Sequence, residues 1–273
     1  MSRGLIVSGD DLGIHEAIDR GVIEGHVEGI VTSASLVACG RSFEHACDLA
    51  SRNPSLDLGI HLALVEEQPL LGPDILKTLA PEGRFPGSYL QLFVELLAGR
   101  IETREIELEL EAQILRVLKT GLPVSHLDSH QHTHFFPVLQ PIVLNLLRRH
   151  RIRGLRVAAR VVPSRTKFSF LLAPLAKWSR AAAEEGVKSP DTLWLPATSG
   201  RVTTAELLAG LPFIPEGVTE LVVHPGVDQG TLNREYPAWG FDWAGELAAV
   251  KAPEVRERLG RENIRLTRYS ELG

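Results

Sequence analysis

Short apolar runs alternate along this chain with longer segments whose apolar positions recur every three or four residues, and that alternation sets out its elements. Gly4–Ser8 predicts a buried strand, and Ile14–Glu28 a helix with Ile14, Ile18, Val22 and Val27 on one side. Residues 30–40 predict a second strand, Phe43–Arg52 a helix stopped by Pro54, and residues 56–64 ("LDLGIHLAL") a third strand. From Pro69 to Pro86 the periodicity dissolves into Gly/Pro-rich sequence, the composition of a long loop that can act as a lid or bind substrate. Glu102–Lys119 is the clearest helix: Ile106, Leu110, Ile114 and Val117 make its stripe, the glutamates its solvated face, and Gly121 its stop. A His-rich strand follows, then a helix over Pro137–Arg149. Strands at Leu155–Ala158, Thr192–Leu195 and 220–226 come next, and a final helix covers Glu246–Leu259.

This β-then-α rhythm predicts parallel strands joined by crossover helices. With no repeat and no linker to divide it, the chain reads as a single α/β domain over residues 1–273, a distorted, TIM-like (β/α) barrel. The polar residues strengthen that reading. Asp10–Asp11, His61, the run His126–His134 and His224 all fall at or just past the C-terminal end of an apolar run, the face on which such barrels assemble their sites.

Composition narrows the function classes. The 273 residues are 44% hydrophobic and 23% charged, an ordinary soluble globular balance, and a net charge of −5 argues against nucleic acid or an anionic membrane as the main partner. Cys39 and Cys47 lack metal or redox spacing and read as free thiols in a reducing compartment. The N-terminus has too short an apolar run for a signal peptide. No stretch reaches a membrane span; residues 168–178 come nearest, interrupted by Pro174 and Lys177. The expectation is a cytoplasmic protein, with assembly into a homo-oligomer left open.

The candidate chemistry is that of a divalent metal. "HLDSHQHTH" places His126, Asp128, His130, His132 and His134 at strict alternation, so a strand would turn this row to one side. Residues two apart are separated by about 6.6 Å along a strand, so one ion takes one or two of them and the rest orient ligands, contact substrate or carry protons. Asp10 and Asp11 can hold separate jobs, one on a metal and one on a proton, although Asp11 also suits a helix N-cap. His61, alone in an apolar strand, is either a core histidine or a further ligand. His224, at a strand end before Pro225–Gly226, is placed for general acid work. Arg84, Arg156, Trp194 and Trp239 are candidate contacts to sugar rings or charged groups.

These segments also resemble a known family. "LIVSGDDLGIHEAIDRGVIEGHVEGIVTSASLV", "LDLGIHLAL", "HLDSHQHTHFFPVLQPIV", "ELVVHPGV" and the C-terminal "DWAGELAAVKAPEVRERLGRENIRLTRYSEL" are similar, in order, to the motifs of the YdjC/ChbG carbohydrate deacetylases. "LVEEQPLL" and "PEGRFPG" further resemble the hopanoid-biosynthesis-associated branch, which acts on N-acetylglucosamine. The resemblance implies a distorted (β/α) barrel, one divalent ion (magnesium or zinc) and removal of acetate from an N-acetylated amino sugar in an oligosaccharide or glycolipid. By motif it implies Asp11, His61 and His130 as metal ligands, Asp10 as general base, and His224 as the late "HP" histidine. The family pattern "ADDFG" reads "GDDLG" here, so Gly9 and Leu12 alter the pocket beside the carboxylates.

Two other readings stay open. Asp/His clusters also serve two-metal phosphoesterases, and a non-catalytic metal- or sugar-binding protein would need only the ligands. No GxSxG or nucleophilic cysteine signature is present to support acyl transfer through a covalent intermediate. Loop 66–87 and the aromatic stretch 236–243 follow strands that end at the proposed site and are expected to cover it.

Overall fold

Burial persists along the first strand well past the expected Ser8: β1 runs Arg3–Leu12 and carries the acidic pair inside it. The computed structural model describes residues 3–157, 160–161, 186–196 and 198–273. The apolar segment 168–178 and Ala158, the expected end of a strand, lie outside them. The other strands are β2 (Ser33–Leu36), β3 (Asp57–Leu62), β4 (Val124–Ser129), β5 (Gly154–Leu155), β6 (Arg160–Val161), β7 (Thr192–Trp194), β8 (Gly217–Val223) and β9 (Ile264–Leu266).

Every pairing between these strands is parallel, in the order β5-β4-β3-β2-β1-β8-β7-β6, with β9 beside the first residues of β1. Past β5 the sheet meets the chain again. Gly154 bridges Lys188 in parallel, Leu155 N–H donates to Lys188 O at 2.9 Å, and Lys188 N–H donates to Arg153 O at 2.8 Å. The segment leading into β7 therefore closes the sheet on itself, giving the expected distorted barrel.

Helices clothe the outside: α1 (Glu16–Val27), α2 (Phe43–Arg52), α3 (Tyr89–Leu97), α4 (Thr103–Leu118), α5 (Gln140–His150), α6 (Thr204–Gly210), α7 (Gln229–Glu235), α8 (Trp243–Lys251) and α9 (Pro253–Arg261). The single closing helix expected over Glu246–Leu259 is two helices, because Pro253 has no N–H to donate and Ala252 turns to extended backbone. Val27, expected on the apolar side of α1, is exposed. Gly21 lets α1 meet the turn after β8 backbone to backbone; a Cβ there would lie 2.3 Å from Gly226 Cα.

The glutamates of α4 are not all solvated. Glu105, Glu109 and Gln113, four residues apart on one face, are buried and hold the chain that follows β3. Glu109 accepts from Leu70 N and Leu71 N, Glu105 from Thr78 N and Leu79 N, and Gln113 pairs with both backbone groups of Ala63. Helical periodicity locates that face but not its partner, and the partner here is loop backbone that would otherwise lack acceptors. Glu107 and Glu111 meet Arg149 of α5 near the surface.

Candidate active site

A regular strand would send Asp10 and Asp11 to opposite sides of the sheet. Here β1 is bulged: Gly9 pairs with Ala34 and Leu12 with Leu36, so β1 uses one residue more than β2. Asp11 takes the extra step at φ 67°, left-handed backbone that costs a non-glycine residue roughly 1–3 kcal/mol. The bulge brings both carboxylates to one cavity of about 390 Å³. Asp11 is not a helix cap, since His15 fills that position on α1 and accepts from Ala17 N. Asp19 accepts from Gly13 N at 2.6 Å and pins the turn just beyond the pair.

One ligand atom each from Asp11, His61 and His130 lies within 4.8 Å of the others, and all three residues are buried. The strand end of β3 supplies His61, and the residue just after β4 supplies His130. Asp11 Oδ1 stands 2.8 Å from His130 Nδ1 and 3.4 Å from His61 Nε2. The other nitrogen of each ring is engaged by a second carboxylate: His61 Nδ1 by Asp128 at 2.8 Å, and His130 Nε2 by Glu66 at 2.9 Å. Burial would push the Asp11 carboxyl up, but the adjoining His130 and His61 override it and hold it well below the usual carboxylate range. Burial would likewise lower both imidazoles. Asp128, Asp10 and Asp11 instead push His61 up to about 9, and Asp11 with Glu66 push His130 up to about 10.

This donor set fits a divalent cation. Each imidazole is steered by a carboxylate on one nitrogen so that the other faces Asp11, the arrangement that orients metal-binding histidines. Two imidazoles with one carboxylate suit zinc-class ions better than an oxygen-seeking ion such as magnesium.

Beneath the trio lies a second acidic cluster, Asp10, His61 and Asp128, and it already has its cation. The guanidinium of Arg156, fully buried just after β5, makes two 2.6 Å bonds to the two oxygens of Asp10 and a 2.7 Å ion pair with Asp128. Its Nε donates to Glu220 at 2.9 Å, and Tyr269 O–H donates to the other Glu220 oxygen at 2.6 Å. Burial pushes Glu220 up to about 7, against the pull of Arg156 and Tyr269. Arg156, expected as a substrate contact, is therefore an interior residue that fixes Asp10. The reason is reach: its side chain points under the cavity and not into it.

His224 lines the cavity from the end of β8. Its Nδ1 is 3.7 Å from Glu246 Oε2, and Glu246 also accepts from the backbone N–H groups of His224 and Val202. Burial would lower this imidazole; Glu246 outweighs it and raises it.

The His-rich run does not form one row. β4 ends at Ser129, and His130–Phe135 is a 3-10 turn with Gln131 and His132 at φ 51° and 53°. His126 lies below the site, stacked on Tyr269 at 3.8 Å, and is not a cavity residue. Asp128 steers His61 and pairs with Arg156. His134 is turned inward, bonded to Ser129 Oγ and, through Nε2, to the carbonyl of Arg156 at 2.8 Å. Of the five alternating residues only His130 and His132 line the cavity, with Gln131 between them, and among the described residues His132 Nδ1 is buried without a hydrogen-bond partner.

Tyr89, Phe135, Phe136, Trp239 and Phe241 make the walls. The Trp239 ring centroid lies 5.3 Å from that of His130, so the late aromatic stretch covers the site as expected. Loop 66–87 contributes Glu66 alone to the lining, because α4 holds most of its length elsewhere. Arg84 is exposed and outside the lining, and Trp194 is a core residue packed on Gly210. Sequence reasoning missed Glu66 and Glu246, since neither sits in a histidine- or aspartate-rich motif. Their signal is a carboxylate just past a strand and one on a late apolar helix.

Comparison with known proteins follows the same lines. Residues 4–261 match the family model of YdjC-like proteins. A carbohydrate deacetylase of Brevibacillus brevis is 32% identical over 273 residues, covering 98% of this chain and 99% of the relative. One from Mus musculus is 30% identical over 298 residues, covering 98% and 94%. A crystal structure from Enterococcus faecalis, of a protein named for cellobiose-phosphate cleavage, superposes with a TM-score of 0.81 at 25% identity, covering 99% of this chain and 98% of that one.

Proposed function

This chain belongs to the YdjC-like family, and from that membership we propose that it is a carbohydrate deacetylase that removes the N-acetyl group of an amino sugar with one divalent cation. The observation that carries the reading is the shared cavity: Asp10 and His224 both open onto the space that Asp11, His61 and His130 also line. A binding protein would need the trio alone.

A divalent cation held by Asp11, His61 and His130 supplies polarisation of the acetyl carbonyl and activation of water at neutral pH. The protein's own groups do the rest. Asp10, locked by the paired bonds from Arg156, takes the proton of the attacking water. His224, whose imidazole Glu246 shifts toward holding a proton, acts as the acid that protonates the nitrogen as the C–N bond breaks, so acetate and a free amine leave. Trp239, Phe241 and Phe135 offer aromatic faces to the apolar side of a pyranose.

Arg156 also bears on the phosphoesterase reading. A two-metal site needs a second ion about 4 Å from the first. The neighbouring carboxylates, Asp10 and Asp128, are instead spanned by a guanidinium. The test is release of acetate and primary amine from N-acetylglucosamine oligomers and from an N-acetylglucosaminyl lipid, with p-nitrophenyl phosphate as the control. Equal yields of acetate and amine from either glycan class support the reading, and the better class names the substrate. Phosphate release without acetate refutes it.

A further inference from the structure

We propose that Glu66 is a positioning residue of the metal centre: it fixes the ring of His130 so that Nδ1 faces the ion, making the loop after β3 part of the site's framework. The inference rests on the reading of Asp11, His61 and His130 as cation ligands, and not on the identity of the substrate.

The two histidines are held by the same logic from different places. His61 gives Nδ1 to Asp128 and turns Nε2 toward Asp11; His130 gives Nε2 to Glu66 and turns Nδ1 toward Asp11. Asp128 is a fully buried strand residue anchored by Arg156. Glu66 stands at the mouth of a long loop and lines the cavity. It is outside the group of ligand atoms that lie within 4.8 Å of one another, so it acts on the ion through His130.

The structure is built to keep Glu66 there. Its backbone is at φ 64°, a conformation that a non-glycine residue holds only where its surroundings over-determine it. The neck of the loop supplies that constraint, with Glu66 N–H donating to Pro86 O at 2.9 Å and Phe85 N–H to Glu67 O at 3.4 Å. Farther along, buried Glu109 and Glu105 of α4 take the N–H groups of Leu70, Leu71, Thr78 and Leu79, while Leu76, Leu79 and Ala80 are buried beneath. A carboxylate in a merely incidental surface pair would not need a strained residue, a closed neck and a buried polar face to hold it.

The experiment uses full-length wild type, Glu66→Ala and Glu66→Gln, each stripped of metal. Zinc affinity is measured by competition with a chromophoric chelator, and the melting temperature of each apoprotein is recorded alongside. Loss of an outer-shell orienting group weakens metal affinity about 10- to 100-fold. Glu66→Ala should fall in that range, and Glu66→Gln, which keeps an acceptor oxygen but no charge, should lie between it and wild type. Apoproteins that melt together while affinity falls support positioning. Affinity within twofold of wild type in both variants overturns it, as does a loss of affinity that only follows a loss of folding. Failure of wild type to bind zinc would refute the ligand assignment instead, which keeps the two claims separable.

Discussion

Replacing Arg156 with methionine is the most informative single perturbation of the interior. The side chain is fully buried and is the cation shared by Asp10, Asp128 and Glu220. Methionine matches much of its length, so the change removes charge and five donors with little loss of volume. Removing one partner of a buried ionic network typically costs about 3–5 kcal/mol, because the remaining charges stay buried and unpaired. For a domain of this size each kcal/mol corresponds to roughly 2–4 °C, so Arg156→Met should melt roughly 6–20 °C below wild type. The sign is specific to a one-sided deletion. Adding Asp128→Asn and Glu220→Gln should recover part of the loss, because neutral groups no longer need the guanidinium. Differential scanning calorimetry of the single and triple variants reads both values. A single variant within about 2 °C of wild type, or a triple variant less stable than the single, would refute the claim that the Arg156 guanidinium is what stabilises these buried carboxylates.

Three further outcomes follow from the same geometry. Asp10→Asn should retain its metal, yet turn over on the order of 10²–10⁴-fold more slowly, as expected for loss of a general base; near-normal turnover in steady-state assays rules out the role. Trp239→Ala should raise KM for the sugar with metal content unchanged, and unaltered kinetics would remove the ring from substrate binding. Burial depresses His126 to about 4, so its contribution is present above its unfolded value near 6.5 and is lost as pH falls from there toward 4. His126→Phe keeps the stacking on Tyr269 and removes that proton uptake, so its urea midpoint should fall less than that of wild type between pH 7 and 5; parallel declines would contradict it.

Much of this was legible in the sequence where one rule dominated. Helix α2 runs over Phe43–Arg52 as expected, because a strong apolar period meets a stop at Asn53–Pro54. Asp10, Asp11 and His224 are readable because an apolar run breaks just before each, although β1 continues through the acidic pair to Leu12 and His61 sits inside its apolar strand. Tertiary partners decided the rest. Alternation in "HLDSHQHTH" promised one row of imidazoles, but two left-handed residues after His130 send His132 and His134 apart. Helical periodicity separates the face of Glu109 from that of Glu107, but nothing local says that the first holds loop backbone and the second meets an arginine. Arg156 reads from sequence as a contact to sugar or charged groups because its three carboxylate partners lie on β1, β4 and β8, far apart in the chain.

The central claim is that one divalent cation, held by Asp11, His61 and His130, turns this cavity into an amide-hydrolysing site. Its most direct test is a titration of chelator-stripped protein with zinc while acetate release from an N-acetylglucosamine oligomer is followed. The account predicts no release from the stripped protein, recovery that saturates at one equivalent per chain, and no recovery in Asp11→Ala. Release that survives stripping, or that saturates only at two equivalents, would contradict it.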